Sequence, residues 1–554
     1  MEKLDYIVFF VYFVIVAAYG YWIYNRKKKA HADSKDFFLA EGSLTWWAIG
    51  ASLIASNISA EQMIGMSGNG FKMGLAISAY EWMAAATLIV VAVFFLPIYL
   101  QNKIYTMPQF LRQRYNNTVA MIMAIFWLSL YIVVNLTSIL FLGALAVSTV
   151  SGLSFTLCMV FLAGFAIIIT LGGMKVIGYT DVIQVFFLVL GGLATTYLAL
   201  DLVSQHFQTT GTMNGLNFLM SEANDHFHMI FDESNPNYVS LPGLTVLIGA
   251  MWVVNLNYWG CNQYITQRAL GADLKTARSG LLFAAFLKLL MPVIVVLPGI
   301  AAYVLYKNGM FQTEMMAGGE LNPDRAYPVL LNLLPAGLKG LSFAALTAAV
   351  VASLAGKANS ISTIFTLDIY KTFIKKDATE KSLVWTGRMV VVVSMVLAIV
   401  IAPFLGIDKK GGFEFIQEYT GFVSPGIFAM FIMGFFWKRT TVSAALFAII
   451  GGFILSVIFK FLPGWVDLSF MQGSGFAVVN PASGVVEIPF LDRMGFVFLI
   501  CVVVMVALSL MTPAHKQPKD TLHVDFKMFK TDPMFTVGAV IVLVILATLY
   551  ISFW

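Results

Sequence analysis

The stretch Ala55-Ser56-Asn57-Ile58-Ser59-Ala60-Glu61-Gln62 crowds serines, amides and a carboxylate between apolar flanks at 44–54 and 63–66. A helix in hydrocarbon satisfies its own backbone, so such a run is expensive unless it faces protein or a wet cavity. Gly65, Gly68 and Gly70 follow and weaken helix propensity further. A span broken at mid-depth leaves free carbonyls and half-helix ends that can hold an ion and a polar ligand. The plainer alternative is a buried polar patch joining two helices. A second run, Asn255-Leu256-Asn257-Tyr258-Trp259-Gly260-Cys261-Asn262-Gln263, again sets amides in an apolar region, now with two aromatics. Glu81, Lys288 and Gln417 also stand at bilayer depth, where a charge costs roughly 3 kcal/mol even on lenient scales. Asp181 and Lys460 lie nearer span ends, where snorkelling accounts for them. Amides donate and accept, Glu accepts and Lys donates, which matches hydroxyl groups that do both. An aromatic face suits the apolar side of a pyranose ring. No Arg lies mid-span, against an anionic cargo. The chemistry is that of a neutral sugar or polyol site.

The elements that position these groups are membrane spans. Hydrophobic residues make up 59% of the chain and charged residues 11%, far below the roughly 25% charged residues of soluble proteins. Mean hydropathy is +0.83. Apolar runs near twenty residues predict about fourteen helices: 4–24, 45–70, 73–99, 118–149, 154–172, 176–203, 242–266, 281–306, 341–371, 385–406, 413–436, 441–461, 494–512 and 534–553. With the N-terminus outside, 23 of the 34 Lys and Arg fall in cytoplasmic segments, eight outside and three within spans. That asymmetry follows the positive-inside rule and places both termini outside the cytoplasm. The first run lacks a cleavage site and reads as a retained span. The net charge of +5 comes from short loops, so nucleic acid is not implied. Cys158, Cys261 and Cys501 have no metal-ligand or disulfide-framework spacing. The six His all lie outside spans, against metal or His-based catalysis, and no GxxxxGK[ST] suggests direct ATP drive. The interrupted spans are the second and the seventh, five apart, as in the inverted repeats of a rocking transporter.

Ser-Asn-Ile-Ser-Ala-Glu-Gln (56–62), Tyr-Glu-Trp-Met (80–83), Tyr-Thr-Asp-Val-Ile-Gln (179–184), Asn-Gln-Tyr (262–264) and Ile-Gln-Glu-Tyr-Thr-Gly (416–421) resemble the sodium/solute symporter family, in particular its bacterial sodium/galactose branch. The resemblance runs over essentially the whole chain. It implies an all-α polytopic protein of LeuT type: a peripheral first helix and basic loop (1–44), a first five-helix repeat (45–204), an extracytoplasmic loop (205–241), an inverted second repeat (242–436) and three peripheral helices (437–554). It implies sodium-coupled symport of a galactose- or glucose-like sugar by alternating access across a plasma membrane, the bacterial inner membrane. It implies no organic cofactor and no enzymatic activity. Carried over by position, the sugar ligands are Asn57, Gln62, Glu81, Asn255, Lys288 and Gln417. Tyr258 stacks beneath the sugar as inner gate, and Met66, Tyr80 and Phe413 close from outside. Sodium takes the carbonyls of Ala55, Ile58 and Ala349 and the hydroxyl of Ser353, with Asp181 in an outer shell.

Three departures from the family pattern matter. Ala84 replaces a serine four residues after Tyr80, and Asn257 replaces a tyrosine just before the gate. Ala352-Ser353 stands for paired serines, and Lys357, at i+4 from Ser353, puts an ammonium on the same helix face. The preferred reading pairs Lys357 with Asp181 or lets it snorkel, leaving sodium coupling intact with a weaker site. The rival reading has Lys357 compete with or replace the ion, giving a proton-linked or sodium-independent carrier. A non-transporting solute sensor is a third reading, weakened by the lack of an appended soluble domain.

Overall fold

The computed structural model describes residues 2–26, 37–38, 44–59, 61–317, 319–404, 412–513 and 522–554. The basic residues Lys27–Lys29 and Lys35, and Lys409, Lys410, Lys516 and Lys519, lie outside the described residues. Among the described residues, eleven helical stretches are long and apolar enough to cross a membrane, and two shorter apolar helices, Phe155–Thr170 and Ser424–Phe436, accompany them. The fourteen expected spans are therefore not all recovered as separate long helices. Broken spans divide into shorter pieces, and Glu61–Gln101 is one helical stretch across two expected spans.

The first long helix is α1 (Lys3–Arg26), followed by α2 (Trp46–Asn57). From Ala48 to Asn57 every residue of α2 is buried, so protein surrounds it on all sides. At Ile58 the backbone turns extended (φ −83°, ψ 105°). The chain resumes as a π-helical turn, Glu61–Met66, and then α3 (Ser67–Met73). Ser59 explains the restart. Its hydroxyl accepts from the Glu61 N–H at 3.2 Å, and its own N–H donates to Gln62 Oε1 at 3.2 Å. That reciprocal Ser-x-x-Gln arrangement is a capping box, which starts a new helix where an old one has ended. The N–H of Ser59 is the group that would otherwise bond to the Ala55 carbonyl, so capping by Gln62 leaves that carbonyl free.

Gly74 ends α3 at φ +73° with its Cα pressed against the His226 backbone, and α4 (Ala79–Val90) follows. A side chain there meets both the disfavoured φ and the His226 carbonyl. Gly74→Val is expected to cost about 1–3 kcal/mol; a thermal melt of purified protein that does not shift would contradict this reading.

Farther on come α5 (Met174–His206), α6 (Ala250–Cys261), α7 (Gln263–Leu270), α8 (Leu274–Lys307), α9 (Leu338–Thr363) and α10 (Gly412–Gly421). The second interruption is narrower than expected. Residues 255–261 stay helical, and only Asn262 is extended (φ −99°, ψ 118°) between α6 and α7. Asn255 is tolerated inside α6 because its amide donates to the Met251 carbonyl one turn back, at 3.2 Å. Asn262 is held out of the helix by Tyr131, whose hydroxyl donates to its Oδ1. Helix α8 packs along α2, α3 and α4, while α9 packs on α2 and α5. These contacts gather both interruptions around one space.

Candidate functional site

That space is a cavity of about 70 Å³, and its walls come from the two interrupted helices together with α4, α8, α9 and α10. Asn57, Gln62, Glu81, Asn255, Tyr258, Lys288 and Gln417 all line it. Of the expected outer gates, Tyr80 and Phe413 line it too, with ring centroids 5.1 Å apart and planes at 87°. Met66 is fully buried in the same π-helical turn as Gly65, whose Cα abuts the Phe413 backbone. The two rings thus pack edge to face at the cavity wall.

Lys288 is the centre of the polar set. It is 1% exposed, and its ammonium donates to Glu81 Oε2 at 2.5 Å and to Asn57 Oδ1. Its Nζ also lies 5.2 Å from the Trp259 ring centroid, a favourable cation–π position. Asn57 passes the network on, donating through Nδ2 to the Tyr258 hydroxyl at 3.1 Å. Asn257 donates to Ser424 Oγ at 3.1 Å, which fixes the wall that the expected tyrosine would have formed. A buried ion pair is weak evidence of stability, because desolvation offsets its attraction. An ammonium and a carboxylate opening onto a cavity with seven side-chain amides are instead suited to exchange hydrogen bonds with hydroxyls. Gln62 has a double place: Oε1 caps Ser59, and the amide lies on the cavity wall.

Below α2 lies the expected ion set. Ser353 Oγ donates to the Ala55 carbonyl at 3.3 Å and to the Ser56 carbonyl at 3.0 Å. Ala55, Ile58 and Ala349 are buried, and Ala349 lies one turn before Ser353 on α9. Freed helix-end carbonyls beside a hydroxyl are hard oxygen donors, the donor class that unwound transporter helices offer to sodium. The donor set fits that ion, although Ala352 contributes no second hydroxyl.

Asp181 is buried near this set. Its Oδ2 accepts from Ser52 Oγ at 2.5 Å, and Arg268 Nε donates to Ser52 Oγ at 2.9 Å and to the Ser52 carbonyl at 3.1 Å. Arg268 acts electrostatically on Asp181. The expected Lys357–Asp181 pairing is therefore corrected. Arg268 takes the position of counter-charge, and Lys357 donates to Asn135 Oδ1 at 3.0 Å, with its Nζ 4.3 Å from the Tyr264 centroid. Lys357 is buried and does not reach the Ala55 or Ser56 carbonyls by a hydrogen bond.

Sequence reasoning missed Arg268, which is 1% exposed although apolarity places it in a cytoplasmic loop. It also missed Asn135, Asn262 and Glu61 as cavity residues. Asn135 is a lone amide in an apolar run, the same signal that singled out Lys288.

Comparison with known proteins places this geometry. A model of the sodium:solute symporter family matches residues 37–452. The chain is 45% identical to the sodium/glucose cotransporter of Vibrio parahaemolyticus, over 100% of this chain and 99% of that protein. It is 34% identical to the human sodium/myo-inositol cotransporter 2, over 83% of this chain and 70% of that one. Its fold matches that of a substrate-bound, outward-open sodium-coupled sialic acid symporter with a TM-score of 0.76 at 20% identity, covering 93% of this chain and 99% of the other. That likeness makes the architecture LeuT-type. A cavity between two interrupted helices, the family model and a full-length relative agree: the chain belongs to the sodium:solute symporter family.

Proposed function

We propose that this protein couples inward movement of sodium to that of a neutral, galactose- or glucose-like sugar by alternating access. The observation that carries the reading is the Lys288–Glu81–Asn57 network opening onto a cavity whose wall residue Gln62 also frees the Ala55 carbonyl. Asn57, Gln62, Glu81, Asn255, Lys288 and Gln417 bind the cargo, with Tyr258 as inner gate and Met66, Tyr80 and Phe413 as outer gate. The carbonyls of Ala55, Ile58 and Ala349 and the hydroxyl of Ser353 bind sodium, and Asp181 orients α2 through Ser52. Gln62 joins the two sites: its oxygen holds the chain break that supplies the ion's carbonyl, and its nitrogen is left for sugar. Ion and sugar therefore raise each other's affinity by one common factor.

In this reading, residues 45–204 and 242–436 are the two inverted repeats. Residues 1–44 and 437–554 are peripheral, and 205–241 form an outer loop. Both termini lie outside the cytoplasm, and the membrane is a bacterial inner membrane. The Lys357 ammonium favours this reading over a proton-linked carrier, because it is committed to Asn135 rather than to the ion's carbonyls.

Sodium titration of labelled galactose uptake into proteoliposomes tests the coupling. Uptake should rise saturably with sodium and respond little to a pH gradient. Uptake indifferent to sodium but steepened by a pH gradient would overturn it. Gln417→Ala should raise the sugar KM about tenfold, the loss of one hydrogen bond in a dry site. An unchanged KM would remove Gln417 from the ligand set.

A further inference from the structure

The cavity carries a second polar set that the reading above leaves without a role. Lys357, Glu61 and Asn135 all line it. The set repeats the composition of the first: a lysine, a glutamate, an asparagine, and an aromatic ring beneath the ammonium. Lys288 has Glu81, Asn57 and Trp259; Lys357 has Glu61, Asn135 and Tyr264. Tyr258 stands between the two. Its hydroxyl accepts from Asn57 of the first set, and Glu61 and Tyr264 are its polar neighbours in the second.

The sets differ in one respect. In the first, ammonium and carboxylate bond to each other directly. In the second, Lys357 is bonded to Asn135, and Glu61 Oε1 is buried with no hydrogen-bond partner. A buried, unpartnered carboxylate oxygen is costly and is normally satisfied by something that binds there. The charges decide what. A cation is repelled by the Lys357 ammonium, which already holds the Asn135 oxygen. An anion is repelled by Glu61. A neutral molecule with several hydroxyls suits both, donating to Glu61 Oε1 and accepting from the remaining N–H groups of Lys357.

We infer that Glu61, Asn135 and Lys357 form a second subsite for the same polyol cargo, occupied between the Lys288 site and the cytoplasm. The inference rests on the sugar-transport reading and its topology. With the N-terminus outside, the chain runs inward through α6 and α7, and the ring beneath Lys357, Tyr264, follows the ring beneath Lys288, Trp259, so the second set lies on the cytoplasmic side of the first. The subsite holds the cargo after Tyr258 has moved aside and shortens its return to the first site.

The test uses the full-length protein in oriented proteoliposomes, with labelled galactose and myo-inositol as probes. KM is measured from each face for wild type, Lys357→Met, Glu61→Gln and the double variant. The ratio of cytoplasmic-face to outer-face KM should rise about tenfold or more in each single variant, as hydrogen bonds to a charged partner are lost. The double variant buries no unpaired charge, so it should melt near wild type and still show the raised ratio. An unchanged ratio in a wild-type-stable variant would overturn the subsite. So would a raised ratio that the double variant restores, which marks a structural ion pair, or a shift in sodium half-saturation instead of the ratio. Competition by a zwitterionic amino acid at the cytoplasmic face would overturn the polyol assignment. If wild type carries neither probe, the sugar reading itself fails and the subsite falls with it; a failure confined to the variants leaves that reading standing.

Discussion

Lys288→Met should abolish sodium-driven sugar accumulation and lower the melting temperature together. Removing the ammonium takes away the donor to Glu81 and Asn57 and leaves the Glu81 carboxylate, 3% exposed, without its counter-charge. Breaking a buried pair from one side costs about 3–5 kcal/mol, whereas replacing both partners is often close to neutral. The two effects can therefore be separated. The double variant Glu81→Gln/Lys288→Met should recover most of the lost stability while remaining inactive, because the pair proposed to bind the sugar's hydroxyls is still gone. Uptake by reconstituted protein and a thermal melt check this. A double variant that recovers both stability and transport would mean that the pair only holds α4 to α8.

Ser353→Ala should raise the sodium concentration needed for half-maximal uptake by more than tenfold, with little change in folding. The serine hydroxyl is the side-chain oxygen that bonds both helix-end carbonyls, and Ala352 beside it supplies none. Losing one hard ligand from a set this small removes an interaction worth about 1.5–3 kcal/mol when its partner is charged. Ser353→Thr keeps the hydroxyl and should stay within a few-fold of wild type. Sodium titration at fixed sugar decides the matter. Equal sodium requirements in wild type and Ser353→Ala would move the ion elsewhere.

How far the sequence carries this account depends on what each residue costs. Lys288, Glu81 and Asn57 were legible because a charged or amide side chain in an apolar run is expensive, and expense singles out position. The same argument makes Asn135 legible in principle. Arg268 was not, since hydropathy fades before residue 268 and cannot distinguish a loop from a short helix buried under its neighbours. Two breaks were legible as polar runs, but not their extent. Asn255 and Asn257 look as disruptive as Asn57, yet Asn255 bonds back to its own helix and Asn257 to Ser424. Gln62 was readable twice over, as a polar cavity residue and as the last residue of a Ser-x-x-Gln cap. The capping signature explains the break without reference to any ligand. Lys357 shows the limit most clearly: helical periodicity places it on the face of Ser353, but only packing reveals that Asn135 and not Asp181 accepts its hydrogen bond.

The central claim is that sugar binds in the cavity between the two interrupted helices, and that sodium favours its binding there. Thr420 lines the cavity from α10, and its hydroxyl bonds only to the Ile416 carbonyl among the described residues, so Thr420→Cys places a thiol at the site with little disturbance. Cys158, Cys261 and Cys501 are buried and give a quiet background. Rates of labelling by a small membrane-impermeant maleimide should fall severalfold when galactose is added with sodium, and far less when it is added without. A labelling rate that galactose leaves unchanged, in sodium and without it, in a variant still able to accumulate the sugar, would show that the cargo travels by another route.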